Sequence, residues 1–338
     1  MLRSRVSLRD IALQAKVTFQ TVSAVLTNKE GARVSTAKRE EIRAIATALG
    51  YRPNVSARAM LAGRFDTVML VQTWRGHPLE YLLAGLLDGC QHHGQRLLIE
   101  RLDDATLADE TLMSRMLTEH GADGLLVNCV VDLPSGLPEV LHRHRLPTVW
   151  LNWNAPRDCV RPDDFGGAQQ ITRRLLELGH RKIAWAPVHT SNHHSEVERF
   201  AGHSEALRQV GLQPQRLTPR SAPWMDGVEW DALSRTWAKD AQRPSALICS
   251  GLGDAQCARL SLQRAGLRVP ADVSLTTFAP EPAEHGGHPI STVLIPDRAM
   301  GVAGVDMLLR RIAKPSCSEK SHLIPCGYAE GGTLAPPP

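Results

Sequence analysis

The chain has 338 residues, of which 43% are hydrophobic and 22% are charged, and its net charge is +4. This length and composition are typical of two globular domains, or three small ones, and no low-complexity tract interrupts them. The longest apolar runs fall far short of the roughly 20 residues that span a bilayer, and the N-terminus lacks a signal-peptide core. We therefore expect a cytoplasmic protein and no membrane partner.

The cysteines point to the same compartment. There are seven of them, an odd number, and no two form a C-x-x-C pair. This pattern argues against a disulfide framework and for reduced thiols.

The positive charge is concentrated at the N-terminus. Residues 1–64 contain 12 Lys and Arg against 4 Asp and Glu, a net of +8, whereas residues 65–338 contain 27 against 31, a net of −4. This asymmetry predicts a head that binds a polyanion, attached to a nearly neutral body. A solvated basic tail is the alternative.

Three short amphipathic helices are predicted within this basic segment. Ser7 and Asp10 form the pattern of a capping box for the first helix, and Thr18 is a candidate N-cap for the second. The third would begin near Ser35 and stop at Gly50. Apolar residues at helical spacing mark the buried faces: Leu8, Ile11, Ala12 and Ala15, then Val22, Val25 and Leu26, then Ile42, Ile45, Ala46 and Leu49. The arrangement predicts a helix-turn-helix domain, with a small protein-binding helical bundle as the alternative.

A short linker follows this domain. Pro53 disfavours helix at Arg52 and suits the first turn of a new helix, which Asn54 or Ser56 could cap. A helix running only to Ala62 is too short to be stable alone in water. The alternative is a plain linker.

The body alternates strand-like and helix-like runs. Seven continuously apolar runs predict buried strands at 66–71, 96–100, 123–128, 147–152, 182–188, 245–250 and 273–278. Such alternation predicts parallel sheets covered by helices on both faces. The number of strands favours two α/β domains over one.

Several motifs resemble the LacI/GalR family of bacterial transcription regulators. "VSLRDIALQAKVTFQTVSAVL", "VSTAKREEIRAIATALGYRPN" and "SARAMLAGR" resemble its headpiece and hinge, and "DDFGGAQQITRRLLELGHRKIAWA", "AGLRVPADVSL" and "PISTVLIP" resemble its core. The resemblance implies a small all-α helix-turn-helix headpiece at 1–52 and a hinge at 53–64. It further implies an α/β periplasmic-binding-protein-like core at 65–338, with parallel sheets in two lobes. The lobes would comprise about 65–160 with 291–322, and about 161–290 with 323–338.

The resemblance also implies how DNA would be bound. Phe19, Gln20 and Ala24 match base-contacting positions of a recognition helix in the major groove. Gln20 can pair with adenine and Phe19 can meet a thymine methyl, whereas Ala24 replaces a common arginine, so we expect a half-site rich in A·T. Phe19 as a partly buried edge residue is the alternative.

Met60 matches the hinge position at which the family usually has a leucine that inserts between base pairs in the minor groove. The alternative is that Met60 and Leu61 pack on the body. The remaining DNA candidates share a charged or hydrogen-bonding side chain suited to phosphate: Arg5, Arg9, Thr18, Thr21, Ser23, Lys38, Arg39, Asn54, Arg58 and Arg64.

The implied ligand cleft departs from the family pattern. Arg199 matches an arginine that grips effector oxygens, and Trp224 lies near a stacking aromatic. Two pairs of polar residues that bind the ligand in the family are missing here. Gly251 and Leu252 stand in place of one pair, and Ala279 and Pro280 stand in place of the other. Other candidates stand nearby: Trp74, Arg75, His193 and His194. We expect a sugar-like or anionic effector, such as an acidic sugar. Solvated histidines and a cleft without ligand control are the alternative.

Other chemistries are disfavoured by spacing. His189, His193 and His194 lack Cys or acidic partners at zinc-ligand spacing, "GLGDAQ" lacks the third glycine of a dinucleotide loop, and no nucleophile elbow is present. We expect no metal, no cofactor and no enzymatic activity. The resulting hypothesis is a homodimeric, nucleoid-associated repressor that binds a palindromic operator and a small-molecule effector. An α/β sugar-processing enzyme with a DNA-binding head is the alternative.

Overall fold

The computed structural model describes most of the chain in two separate units. The described residues are 6–27, 34–52, 63–73, 80–102, 121–128, 139, 141, 143, 145–188, 193–218 and 227–338. The units are Met1–Phe65, the headpiece, and Asp66–Pro338, the core.

The described helices alternate with strands throughout the core. The helices are α1 (Leu8–Ala15), α2 (Phe19–Leu26), α3 (Thr36–Ala48), α4 (Glu80–His92), α5 (Asp164–Glu177), α6 (His194–Arg208), α7 (Gly227–Lys239), α8 (Leu252–Arg264) and α9 (Asp297–Ala313). None of these described helices is both long and apolar enough to cross a membrane.

The described strands all belong to the core. They are β1 (Thr67–Thr73), β2 (Arg96–Leu102), β3 (Gly124–Asn128), β4 (Thr148–Leu151), β5 (Cys159–Asp163), β6 (Ile183–Ala186), β7 (Gln215–Arg216), β8 (Ala246–Cys249), β9 (Ser274–Ala279), β10 (Ala283–His285), β11 (His288–Leu294), β12 (His322–Pro325) and β13 (Gly327–Ala329). Each of the seven predicted strands is present, and the shorter strands are additional.

The predicted caps define the three headpiece helices. Ser7 and Asp10 form a reciprocal capping box, and the Thr18 and Ser35 side chains accept hydrogen bonds from the first turns of α2 and α3. Gly50 ends α3 with a φ of +66°, and the next amide, of Tyr51, donates to the carbonyl of Ala46 at 2.9 Å. This is a Schellman motif, which glycine accommodates because it has no Cβ.

The headpiece helices enclose a small apolar core. Ile11, Val22, Val25 and Ile42 are each fully buried, and they come from all three helices. The predicted helical spacing therefore identified the inward faces correctly.

A six-stranded parallel sheet forms the first part of the core, in the order β12-β5-β4-β3-β1-β2. Val68 and Leu70 of β1 pack on one face with α4 and α9, whereas Met69 and Val71 pack on the other. Because both faces are covered, the strand is apolar at consecutive positions, as predicted for a parallel sheet.

A second sheet has the order β10-β11-β9-β8-β6-β7, with β13 beside β11. Strands β6 to β9 and β11 pair in parallel, and β10 and β13 run antiparallel to β11. Trp230 and Trp237 of α7 fill one face of this sheet, and Trp185 of β6 packs on the other against α5 and α6. The two sheets confirm the predicted two-part α/β core.

The chain crosses between the sheets at slightly different points from those predicted. Residues 291–294 pair with β9, so their assignment to the first lobe is wrong. Residues 323–325 pair with β5, so their assignment to the second lobe is also wrong. The physical reason is that an apolar run looks alike in either sheet, and only strand register decides which sheet it joins.

Helices α4 and α9 approach closely at glycines. A Cβ added at Gly85 would overlap the backbone carbonyl of Arg298, and one added at Gly301 would lie 2.6 Å from the carbonyl oxygen of Leu82. We expect Gly85→Ala to lower the free energy of unfolding by about 1–3 kcal/mol, because backbone must move to admit the methyl group. Urea denaturation of the full-length protein measures this change.

Gly253→Ala is the matched control. Gly253 lies within α8 and an added Cβ there has nothing within 4 Å, so the better helix propensity of alanine should raise stability by about 0.5–1 kcal/mol. If both substitutions stabilise the protein, the result contradicts the close contact between α4 and α9 at Gly85.

Candidate DNA-binding and effector sites

The N-terminal tip of α2 projects from the headpiece. Thr18 caps this helix, accepting a hydrogen bond at 3.2 Å from the amide of Thr21. Phe19 is 49% exposed, Gln20 is exposed, and Ala24 is half-buried. Of the three residues predicted to contact bases, Phe19 and Gln20 are thus the exposed ones, and Ala24 presents only part of its methyl group.

The described phosphate candidates differ in how far their charge is already paired. Arg9 is exposed, Lys38 Nζ lies 2.9 Å from Glu41 Oε2, and Arg39 Nε donates to the carbonyl of Val34 at 3.2 Å. The Lys38 and Glu41 side chains are 32% and 47% exposed, so their ion pair contributes little to stability. The predictions for Arg5, Asn54, Arg58 and Met60 fall outside the described residues.

Arg199 lies in a buried ion pair of the core. Its Nε is 2.6 Å from Asp164 Oδ1, its Nη1 donates to the Ser250 carbonyl at 3.1 Å, and its guanidinium lies 4.4 Å from the centre of the Phe278 ring. Burial opposes its charge, but the charge and hydrogen bond of Asp164 prevail, so the pKa of Arg199 is raised. The pair is neutral as a whole, which removes the main argument for an anionic effector.

His193 and His194 both contact the carbonyl oxygen of Asn152. His193 Nε2 lies 2.8 Å from this oxygen and His194 Nε2 lies 3.1 Å from it. Burial, followed by the charge of His194, lowers the pKa of His193 to about 4, so His193 is neutral. The alternative that these histidines are solvated loop residues is wrong, because they join the end of β4 to the start of α6.

The two replaced family positions supply no polar side chain. Gly251 begins α8 without a side-chain cap, and an added Cβ would lie 2.9 Å from Val188 Cγ2. Ala279 is buried at the end of β9. Any ligand must therefore be held by other groups.

Polar residues at the ends of the first sheet were missed in the sequence. Gln72 is the penultimate residue of β1, Asn128 is the last residue of β3, and Asn152 follows β4. The side-chain oxygens of all three are buried and have no hydrogen-bond partner among the described residues. In parallel sheets ligands bind outside the carboxyl ends of the strands. The signal was the amide that terminates each apolar run.

The sequence analysis also did not identify three charged residues of the core, namely Asp297, Glu198 and Arg161. Burial raises the pKa of Asp297 to about 6, with opposing contributions from Arg199 and Asp164. Glu198 forms an ion pair with Arg161. These residues come from different elements, so no local motif marks them. Trp74, Arg75, Trp224 and His189 fall outside the described residues.

Comparison with known proteins identifies both parts of the chain. Residues 7–54 match the family of bacterial regulatory proteins of the lacI type, and residues 172–334 match the periplasmic binding protein-like domain. The chain is 28% identical over 326 residues to the ribose operon repressor of Haemophilus influenzae, covering 92% of this chain and 93% of that protein. It is 26% identical over 342 residues to the maltose regulon regulatory protein MalI of Escherichia coli, covering 95% and 96%.

Solved structures share the fold over nearly the whole length. A lac repressor dimer bound to operator and the anti-inducer ONPF superposes with a TM-score of 0.78 at 22% identity, covering 98% of this chain and 100% of that one. The transcriptional regulator CelR in complex with cellobiose gives 0.65 at 24% identity, covering 97% and 100%. The chain therefore combines a helix-turn-helix headpiece of the lacI family of bacterial regulatory proteins with a periplasmic-binding-protein-like core.

Proposed function

We propose that this protein is a ligand-controlled repressor that binds a palindromic operator as a homodimer. The observation that carries the proposal is the exposed tip of α2, where Phe19 and Gln20 project from a folded headpiece whose segment has a net charge of +8. The basic charge supplies affinity for the phosphate backbone, and the helix tip supplies base contacts. Two headpieces in a symmetric dimer would require a two-fold symmetric site.

The side chains at the tip favour A·T pairs. Gln20 can hydrogen-bond to both adenine N6 and N7, and Phe19 can contact a thymine methyl. Ala24 has no side-chain hydrogen-bond donor. It therefore cannot favour guanine at the base pair where an arginine would select it. We further propose that Met60 wedges into the central minor groove and bends the operator.

We propose a hydroxyl-rich small molecule as the effector, in the same broad class as the ribose, maltose and cellobiose named for similar proteins. Buried oxygens of Gln72, Asn128 and Asn152 need hydrogen-bond donors, and sugar hydroxyls provide them. A ligand that touches both sheets would favour one arrangement of the two halves of the core. A coupling of about 1–3 kcal/mol between ligand and operator would make an effective switch.

Binding accounts for this site better than the alternative of a sugar-processing enzyme. Asp164 and Glu198 are engaged by Arg199 and Arg161, so the carboxylates are held in ion pairs. Turnover of a sugar or sugar acid by the purified protein would favour the enzyme.

Site selection from random duplexes tests the operator proposal directly. Purified full-length protein should enrich a bent, two-fold palindrome at two salt concentrations without added ligand. Salt-sensitive binding with no enriched sequence, with and without candidate sugars, would contradict the proposal.

Gln20→Ala should relax the preference at one base pair of each half-site. The expected loss of discrimination is about 1–3 kcal/mol, the amount carried by a good bidentate contact. Competition binding against operators changed at single positions measures it. Gln14→Ala, also exposed but on α1, is the control and should leave every position unchanged. If Gln20→Ala also changes no position, this residue does not contact a base.

A further inference from the structure

Three hydrogen-bond acceptors from separate positions converge in the core. One ligand atom each from Asp164, His194 and Glu198 lies within 4.8 Å of the other two. Asp164 begins α5, and the other two lie on the first turns of α6. The cluster thus lies at the N-termini of two neighbouring helices, where the chain leaves the first sheet.

One carboxylate oxygen of Asp164 has no hydrogen-bond donor among the described residues. Its Oδ1 accepts from Arg199 at 2.6 Å, while its Oδ2 is buried and has no partner in the described part of the chain. A buried carboxylate oxygen without a donor is costly, because it has lost its hydration. A donor on a ligand would restore the missing interaction.

His194 presents a second acceptor to the same point. Its Nε2 lies 3.1 Å from the Asn152 carbonyl, which can only accept, so Nε2 carries a hydrogen, and Nδ1 is an acceptor in the tautomer that has no second ring hydrogen. Nδ1 is buried and unpartnered within the described segments. Glu198 Oε2 lies 3.9 Å from it, which is beyond hydrogen-bond range.

Glu198 connects the cluster to solvent. Its side chain is 23% exposed, compared with 10% for His194 and none for Asp164. Arg161 donates to Glu198 Oε2. Among the three residues, Glu198 is therefore the one most accessible to solvent.

The charges around this point favour a cation. The carboxylates of Asp164, Glu198 and the nearby Asp297 are opposed by the guanidiniums of Arg161 and Arg199. The carboxylates outnumber the guanidiniums by three to two, an excess of one negative charge. A neutral hydroxyl would satisfy single acceptors, but it would not balance this charge.

We propose that Asp164, His194 and Glu198 form a subsite for a protonated primary amine, so that the effector carries an alkylammonium group beside its hydroxyls. This inference rests on the proposed ligand-controlled function and narrows the class of its effector. An ammonium donates three hydrogen bonds in tetrahedral directions, at about 2.8 Å, which places its acceptors about 4.6 Å apart. The three atoms of the cluster lie within 4.8 Å of one another, and the 3.9 Å between His194 Nδ1 and Glu198 Oε2 would have to widen by about 0.7 Å to meet this geometry.

A zinc ion fits these residues less well. Asp164 Oδ1 and Glu198 Oε2 are already engaged by Arg199 and Arg161, which leaves a metal ion fewer of the carboxylate oxygens that it needs. Two guanidiniums beside the carboxylates would also oppose a doubly charged ion.

Ligand binding to the full-length protein tests the subsite. The probes are methylammonium chloride, D-glucosamine, D-glucose and zinc chloride, in amine-free buffer at constant ionic strength. Melting temperature and calorimetric titration are the readouts. The two amines should stabilise the wild type more than sodium chloride or D-glucose does. Glu198→Gln and His194→Leu should weaken D-glucosamine binding at least about tenfold, since each removes one acceptor of a charged donor.

Glu205→Gln is the matched control. Glu205 lies on the same helix, but it is exposed and pairs with Arg208, so amine binding should be unchanged. The amine subsite would be overturned if D-glucosamine and D-glucose bind equally well and Glu198→Gln does not weaken their binding. That result would still agree with a ligand-controlled function. Zinc-dependent stabilisation lost in both variants, or no amine binding by the folded wild type, would also overturn the amine subsite. Operator binding is measured separately. If the wild-type protein does not bind operator DNA, that result contradicts the proposed function and leaves the amine subsite unaffected.

Discussion

Replacing Arg199 by Met should lower the free energy of unfolding of the core by about 3–5 kcal/mol, the usual cost of removing one partner from a buried ion pair. Asp164 is fully buried and holds Arg199 Nε at 2.6 Å. Without the guanidinium, its carboxylate would remain desolvated and uncompensated. The Ser250 carbonyl would also lose the hydrogen bond that Arg199 donates.

Urea denaturation followed by tryptophan fluorescence measures this loss, since Trp185 and Trp230 are buried in the second half of the core. Arg208→Met is the control on the same helix. Its side chain is 59% exposed and its pair with Glu205 is 3.3 Å long, so stability should change by less than about 1 kcal/mol. Adding Asp164→Leu to Arg199→Met should recover part of the loss. A cost below about 1 kcal/mol for Arg199→Met would show that the pair contributes little.

Ile11→Ala should abolish operator binding while the core remains folded. Ile11 is fully buried between the three headpiece helices, and truncating such a residue costs about 2–5 kcal/mol. A domain as small as the headpiece has only a few kcal/mol of stability. We therefore expect the headpiece to unfold and to lose the helix tip that contacts DNA.

Fluorescence anisotropy with the selected operator measures the loss, and the urea transition of the core shows whether the rest of the protein is intact. Leu13→Ala is the control, because Leu13 lies on the same helix but is 83% exposed. It should bind operator as the wild type does. Tight, sequence-specific binding by Ile11→Ala would contradict the role of this core in presenting α2.

Local features of the chain were predictable because they depend on residues close in sequence. Ser7, Thr18 and Ser35 sit three residues before the amides they cap. The strand positions were equally apparent, since a strand covered on both faces is a continuous apolar run. The headpiece and the parallel sheets followed from these signals.

The lobe boundaries and the chemistry of the ligand site needed the tertiary structure. Residues 291–294 form an apolar run compatible with either sheet, and only their pairing with β9 assigned them. Arg199 matches an arginine that grips effector oxygens, and only the structure shows that its charge is paired with Asp164, 35 positions earlier in the chain.

The sequence by itself thus determined the helices, the strands and the basic headpiece, because periodicity, caps and charge depend on residues close in sequence. Its motifs also resemble the LacI/GalR family. Only the tertiary structure decided which charges face one another. His194 and Glu198 meet Asp164 because the crossing between the sheets brings α5 and α6 together. Contacts between residues so far apart follow from strand register and helix packing, which no local pattern specifies.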